Sequence, residues 1–225
     1  MVYKVLVMYL NLKRQQVNKD LFSDLLNETK HFEKYLMEDG ECWFMKDFLS
    51  FDLARNYETL LLNTIEWKQE EVYVFGKKYK EPRKTAWYGD EECVYTYAGK
   101  KNQPIPWADA LFQLKTEIEA LIPGTSFNSV LLNQYRDGND KMGWHSDNEK
   151  ELGKNPLIAS LSLGATRYFD LKHKRVKSLK KRLELPAGSL LIMCDSTQEN
   201  WLHQIPQQKK VKEPRINLTF RRVKF

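Results

Sequence analysis

Arg215-Ile216-Asn217-Leu218-Thr219-Phe220-Arg221 is the stretch on which the reading of this chain turns. As a strand, its period-two geometry sends Ile216, Leu218 and Phe220 to one face and Arg215, Asn217, Thr219 and Arg221 to the other. The apolar face belongs to a core, and the polar face lines a cavity. Six residues of strand separate the two arginine Cα atoms by roughly 20 Å, and inward-reaching guanidinium arms leave roughly 6 to 8 Å between their tips. A five-carbon diacid fits that gap. Each guanidinium can hold one carboxylate through two parallel hydrogen bonds, which lysine cannot do.

Towards the N-terminus stand His203 and His145-Ser146-Asp147, the two histidines 58 positions apart. Two histidines and one carboxylate are the set that holds a non-haem Fe(II) and leaves positions open for substrate and dioxygen. His-x-Asp alone is a weak signal. A lone His203 beside Trp201 is more often a satisfied core histidine, and a lone Asp147 a turn residue. Their occurrence with Asn133, Tyr135, Arg215, Asn217 and Arg221 reverses that weighting. His31 and His173 fall outside the pattern and are assigned to surface or packing.

From Ser126 onward, short apolar segments alternate with turn residues at 127–135, 157–163, 167–171, 182–185, 189–194 and 215–222. This predicts a mainly β core of the double-sheet jelly-roll kind with flanking helices, an α+β chain overall. Gly138-Asn139-Asp140 and Pro186-Ala187-Gly188 supply turns. Upstream, the spacing predicts a helix over 20–36, one running from a Ser50 cap to about Asn63, and one over 107–121. In the last, Trp107, Ala110, Leu111, Leu114, Ile118 and Leu121 form an apolar stripe between Pro106 and Pro123-Gly124, read as core packing. The expected organisation is an N-terminal helical extension over 1–45, helices and a lid over 46–125, and the jelly roll over 126–225.

A chain of 225 residues buries a full core. Cys42, Cys93 and Cys194 show no paired spacing, which fits a reducing compartment and argues against a thiolate zinc site. Val5–Leu10 is too short an apolar run to span a bilayer and is followed by Lys13 and Arg14. No membrane helix or signal peptide is expected, and the chain reads as soluble and intracellular: cytoplasmic if bacterial, nuclear if eukaryotic. A net charge of +6 favours a polyanionic partner, and placement matters more than the total. Lys172–Arg182 holds seven Lys or Arg and no acid, and Lys209, Lys210 and Lys212 form a second cluster. The plainer reading of each is a solvated loop tip.

The ordered set Pro82-Arg83-Lys84, Tyr88-Gly89-Asp90, Tyr95-Thr96-Tyr97, Asn133-x-Tyr135, His145-x-Asp147, His203 and Arg215-x-Asn217-Leu218-Thr219-Phe220-Arg221 closely resembles the AlkB-type Fe(II)/2-oxoglutarate dioxygenases. The resemblance runs from about Phe48 to Val223 and implies a double-stranded β-helix with a nucleotide-recognition lid. It implies Fe(II) on His145, Asp147 and His203, and 2-oxoglutarate on Asn133, Tyr135, Arg215, Asn217 and Arg221. With O2 the products are succinate, carbon dioxide and an aldehyde from an N-alkyl group on a base such as 1-methyladenine or 3-methylcytosine.

A base inside a duplex cannot reach a buried metal, so the target is flipped or single-stranded. The resemblance places Tyr95 and Tyr97 in the base pocket, with Trp87 and Tyr88 in the lid segment and Glu149 reading the exocyclic amine. The plain readings are core aromatics and a solvated acid. Phe75, in Val74-Phe75-Gly76, matches a hydrophobic finger of duplex-acting members that enters the base stack, and equally suits an ordinary strand end. Arg83, Lys84, Lys174, Arg175, Lys209 and Lys210 are the expected phosphate contacts. The expected partner is DNA, double-stranded first, acted on by a monomer. Rival readings are the same chemistry on single-stranded DNA or RNA, a protein hydroxylase with this metal site, and a non-catalytic damage-binding module.

Overall fold

The strand expected at 215–222 lies inside the larger of two sheets in the computed structural model, which describes residues 31–74, 76–93, 95–97 and 100–224. The strands are β1 (Glu33–Met37), β2 (Gly40–Met45), β3 (Glu71–Val74), β4 (Lys77–Lys80), β5 (Lys84–Gly89), β6 (Tyr95–Tyr97) and β7 (Lys100–Asn102). The jelly roll itself is β8 (Ser129–Tyr135), β9 (Met142–His145), β10 (Ile158–Gly164), β11 (Arg167–His173), β12 (Lys180–Leu185), β13 (Leu190–Cys194), β14 (Trp201–Ile205) and β15 (Arg215–Arg221). The α-helices of the described residues are α1 (Phe51–Thr64), α2 (Asp109–Leu121) and α3 (Thr197–Asn200).

The larger sheet runs β1-β2-β13-β10-β15-β8-β5, and the smaller runs β12-β11-β14-β9. Every pairing in both is antiparallel. Along the chain, β8, β10, β13 and β15 fall in the larger sheet and β9, β11, β12 and β14 in the smaller, which is the alternation of a jelly roll. Two further hairpins, β3–β4 and β6–β7, stand outside these sheets.

Alternation along β15 divides the molecule. Ile216, Leu218 and Phe220 join Val130, Leu132 and Leu161 beneath Ala54, Tyr57 and Leu61 of α1 and Leu111, Leu114 and Ile118 of α2. A second core lies between the sheets, where Phe44, Ile158, Leu191 and Met193 meet Phe169, Leu171, Leu185 and Trp201. The helices therefore seal the outer face of the larger sheet. That leaves the inner face to the polar side of β15 and to the site.

Ser50 accepts from the Leu53 amide at the start of α1, as its residue type predicts. α2 begins at Asp109 rather than 107, because Ala108 is still extended and the Trp107 indole donates to Asp90 Oδ1 at 2.6 Å. The helix expected over 20–36 is corrected at its end: 33–37 is β1, paired with β2, and β2 pairs with β13. The apolar spacing of Phe32, Tyr35 and Leu36 mimics a helix, but a free sheet edge at β13 supplies partners that helical spacing cannot reveal. Residues 33–45 thus belong to the larger sheet and not to a helical extension. Residues 20–30 lie outside the described residues.

β5 is not among the expected strands, while the extended segment expected at His145 and the distant strand expected at His203 are β9 and β14, whose bounds the sequence left open. β9 is four residues with a glycine, and β14 alternates for only five. Cys42, Cys93 and Cys194 are unpaired thiols, as expected. Burial is the first cause pushing each thiol up, Cys42 to about 12 and the other two to about 11. No helix among the described residues is long and apolar enough to cross a membrane.

Candidate metal and dicarboxylate site

His203 of β14 lies directly across the strand pair from His145 of β9, so both imidazoles leave the same face of the smaller sheet. Their ring centroids are 4.2 Å apart. Asp147, two residues past His145, brings its carboxylate to 3.8 Å from His145 Nε2. One ligand atom from each of the three lies within 4.8 Å of the others, and no other such group occurs among the described residues.

Each ligand is fixed by a neighbour. His145 Nδ1 faces the Gly143 carbonyl at 2.8 Å. A carbonyl only accepts, so Nδ1 carries the proton and Nε2 offers its lone pair. His203 is stacked on Phe169 at 5.2 Å. Burial pushes its pKa down to about 3 against the pull of Asp147, which keeps the imidazole neutral, the form that ligates. Burial would push the Asp147 carboxyl up, but Arg221, His203 and His145 outweigh it and hold it below the usual carboxylate range. Arg221 Nη2 is 3.0 Å from Asp147 Oδ2.

The backbone of the metal segment is held from α3. The Asp147 amide donates to Gln198 Oε1 at 2.9 Å, and Lys174 Nζ bridges Ser146 Oγ at 3.1 Å and the Gln198 carbonyl at 2.9 Å. α3 and the start of β14 are fastened to the β1–β2 turn, since Asn200 Nδ2 donates to the Asp39 carbonyl and Trp201 Nε1 to that of Glu38. Gln198, Phe169 and α3 were not singled out from the sequence, because a glutamine or phenylalanine there carries no mark of its neighbours.

Arg215 carries the second half of the site. Its side chain is 1 % exposed, and Nη2 donates to Ser162 Oγ at 2.9 Å. Its Nε and Nη1 are buried with no partner, as is Nε of Arg221. Burial presses the Arg215 pKa down to about 10, with Arg167 adding to the effect and Tyr135 opposing it. Buried guanidinium donors without acceptors are costly, and a carboxylate accepting two of them removes the cost. Tyr135 lies between two guanidiniums, Arg215 at 5.4 Å and Arg167 at 5.6 Å from its ring. Burial pushes its phenol up, so it stays a neutral donor. Asn217 is held by Ser160 Oγ, the Leu161 carbonyl and Thr219 Oγ1. The donor set therefore suits Fe(II), and the orphaned Arg215 nitrogens suit one carboxylate of a 2-oxoglutarate.

Arg167, not anticipated, ties the loops beside the site. Its Nη2 donates to the carbonyls of Asp140 at 2.8 Å and Pro206 at 2.7 Å.

The remaining expectations divide. Trp87 packs towards the inter-sheet core, on the face of β5 that carries Thr85 opposite Asn133. Tyr88 is corrected: it points the other way, into the core under α1 and α2, 5 % exposed, and is no pocket wall. Arg83 is corrected too. Its Nε donates to Asn133 Oδ1 at 2.9 Å and its Nη2 pairs with Glu81 at 3.0 Å, so the side chain turns inward instead of towards phosphates. Lys84 shares the helix-side face with Ala86 and Tyr88.

Lys174 is spent on the metal segment, while Arg175, Lys209 and Lys210 are exposed. Glu149 is exposed, two residues beyond Asp147. Tyr95 and Tyr97 lie on β6, and Phe75 lies outside the described residues.

The model of the 2OG-Fe(II) oxygenase superfamily matches residues 41–221. The chain belongs to this superfamily. Among relatives of this oxygenase, the DNA oxidative demethylase ALKBH2 of Bos taurus is 45% identical over 159 residues, covering 68% of this chain and 57% of that protein. The human protein of that name is 44% identical, over 68% of this chain and 60% of its own length. The alpha-ketoglutarate-dependent dioxygenase alkB homolog 3 of Bos taurus is 44% identical, over 72% and 59%. The chain spans under two thirds of these relatives' lengths, and they bear out the AlkB-type resemblance read from the motifs. The solved structure of OsALKBH1 superposes with a TM-score of 0.57 at 19% identity, over 84% of this chain and 100% of that one, which supports the fold.

Proposed function

We propose that this oxygenase removes N-alkyl groups from DNA bases such as 1-methyladenine and 3-methylcytosine. 2-Oxoglutarate and O2 are consumed together at the Fe(II) cofactor, with succinate, carbon dioxide and an aldehyde released. The observation that carries the reading is the buried Arg215 guanidinium, with Nε and Nη1 left without an acceptor, on the same polar face as Arg221, which pairs with the metal-side Asp147. Such an arrangement couples a dicarboxylate site to a metal site through one strand.

When bound, the metal and its cosubstrate supply the oxidising power. The chain's own residues supply position and charge. Arg215 and Ser162 would hold the distal carboxylate, and Tyr135 and Asn133 would orient the proximal end. Arg221 keeps Asp147 ionised and aimed. Phe169 blocks one side of His203 and excludes water there. Glu149 and the β6–β7 hairpin bearing Tyr95 and Tyr97 would receive a flipped base. Duplex DNA is the preferred form in this reading and a monomer the working unit. The relatives named DNA oxidative demethylase support DNA as the target.

The test is anaerobic loading with Fe(II) and 2-oxoglutarate, then oxygen and a duplex carrying one 1-methyladenine, with the base read by mass. Loss of one methyl with one succinate per event supports the proposal. Succinate released with no change in duplex, single-stranded DNA or RNA overturns the substrate and keeps the cosubstrate.

A further inference from the structure

His145 points into the site, so by strand alternation its neighbour Trp144 leaves the opposite face of β9, and β9 is the edge of the smaller sheet. Trp144 is 38% exposed, a large apolar surface one residue from a metal ligand. Lys172 Nζ sits 4.3 Å from its ring centroid. Lys172 lies on the outer face of β11, opposite Leu202 of β14 on one side and Lys180 of β12 on the other. Four strands at sheet spacing put Trp144 and Lys180 roughly 14 Å apart along this face.

The charge there is one-sided. Asp170, two residues from Lys172 on the same face of β11, is taken up by Arg182 at 2.6 and 2.9 Å and by Gln204 at 3.0 Å. Glu184 lies further off, opposite Tyr168. Lys177 and Lys180 have no acidic partner among the described residues. An exposed indole with Lys172 on its ring, Lys180 further along the same face and Lys177 in the turn between β11 and β12 is complementary to a strand that offers flat bases and phosphates in alternation.

We propose that this outer face is a second contact for the nucleic-acid strand, in which Trp144 stacks an unpaired base flanking the target while Lys172, Lys177 and Lys180 take its phosphates. The inference rests on the nucleic-acid reading of the site. It adds a surface outside the cavity, one that engages a flanking base only where that base is unpaired, in a single strand or beside the opened pair of a duplex.

The experiment measures anisotropy of a labelled single-stranded 15-mer carrying one 1-methyladenine, beside turnover of a methylated trinucleotide too short to leave the cavity. The proteins are wild type, Trp144→Ala, Trp144→Phe and Lys177→Gln/Lys180→Gln, each checked for unchanged melting. Trp144→Ala should weaken 15-mer binding roughly tenfold, Trp144→Phe far less, and neither should alter trinucleotide turnover. The lysine pair should flatten the dependence of log affinity on log salt by about 1.4.

If wild type binds the 15-mer and every variant binds it equally, this surface is refuted while the proposed function stands. Equal loss of trinucleotide turnover in Trp144→Ala would also overturn it, by placing the effect on His145. A wild type that binds no oligonucleotide overturns the nucleic-acid reading itself.

Discussion

Arg221 joins the two halves of the site at a single side chain, while Arg215 stands deeper with nitrogens left over. Lysine at 215 keeps the charge but presents a point instead of a fork. Arg215→Lys should therefore raise the 2-oxoglutarate KM at least tenfold, leaving Mn(II) affinity near wild type, as titration of each would show. Gln198 acts on the metal through the Asp147 amide. Gln198→Leu leaves that amide buried without an acceptor, at a cost of roughly 1 to 3 kcal/mol, read by urea unfolding, and weakens Mn(II) binding in proportion. The histidines, Asp147 and both arginines were legible because few residue types do their chemistry and their spacing is constrained. Gln198, Ser162 and Phe169 were not, since many positions can carry them. Arg83 was read as a phosphate ligand because charge alone does not tell an outward arginine from one folded back on Asn133.

At the level of elements, legibility followed length and partner. β8 and β15, seven residues each with both neighbours paired, were placed within two residues at either end. β9 and β14, which carry the histidines, were expected as extended segments but without bounds, because four or five residues give too short an alternation to delimit. β1 was taken for the end of a helix because its apolar spacing mimics one, and β13, the strand that anchors the β1–β2 hairpin to the sheet, is distant in sequence.

The β11–β12 hairpin gives a test at this scale. Arg182 holds the Asp170 carboxyl below its ordinary value of 3.8, burial opposing and Gln204 assisting. A depressed folded pKa means stability fully present above that ordinary value and lost as pH falls through the folded one. Asp170→Asn should thus lower stability at pH 7 and flatten the fall of wild-type stability below about pH 4, measured by urea midpoints across pH.

For the whole molecule, the jelly roll was legible from six short apolar segments, whereas the sheet's extension by β1, β2 and β5 was not. A fold with a preformed dicarboxylate site gains stability when that site is filled. Saturation with Mn(II) and 2-oxoglutarate at a hundredfold excess over Kd should add about 2.7 kcal/mol for each independent site. Thermal melts of Arg215→Lys should keep the Mn(II) increment and lose most of the 2-oxoglutarate one.

β9 has a neighbour on one side only, and that neighbour, β14, carries the facing histidine. An edge strand of four residues frays more readily than the sheet it borders. A bound ion would therefore act as a rivet between strand and sheet. Amide hydrogens of 142–145 should exchange slowly in the loaded protein and fast in the stripped one. The rate at which iron leaves would then be set by this local opening rather than by unfolding of the barrel.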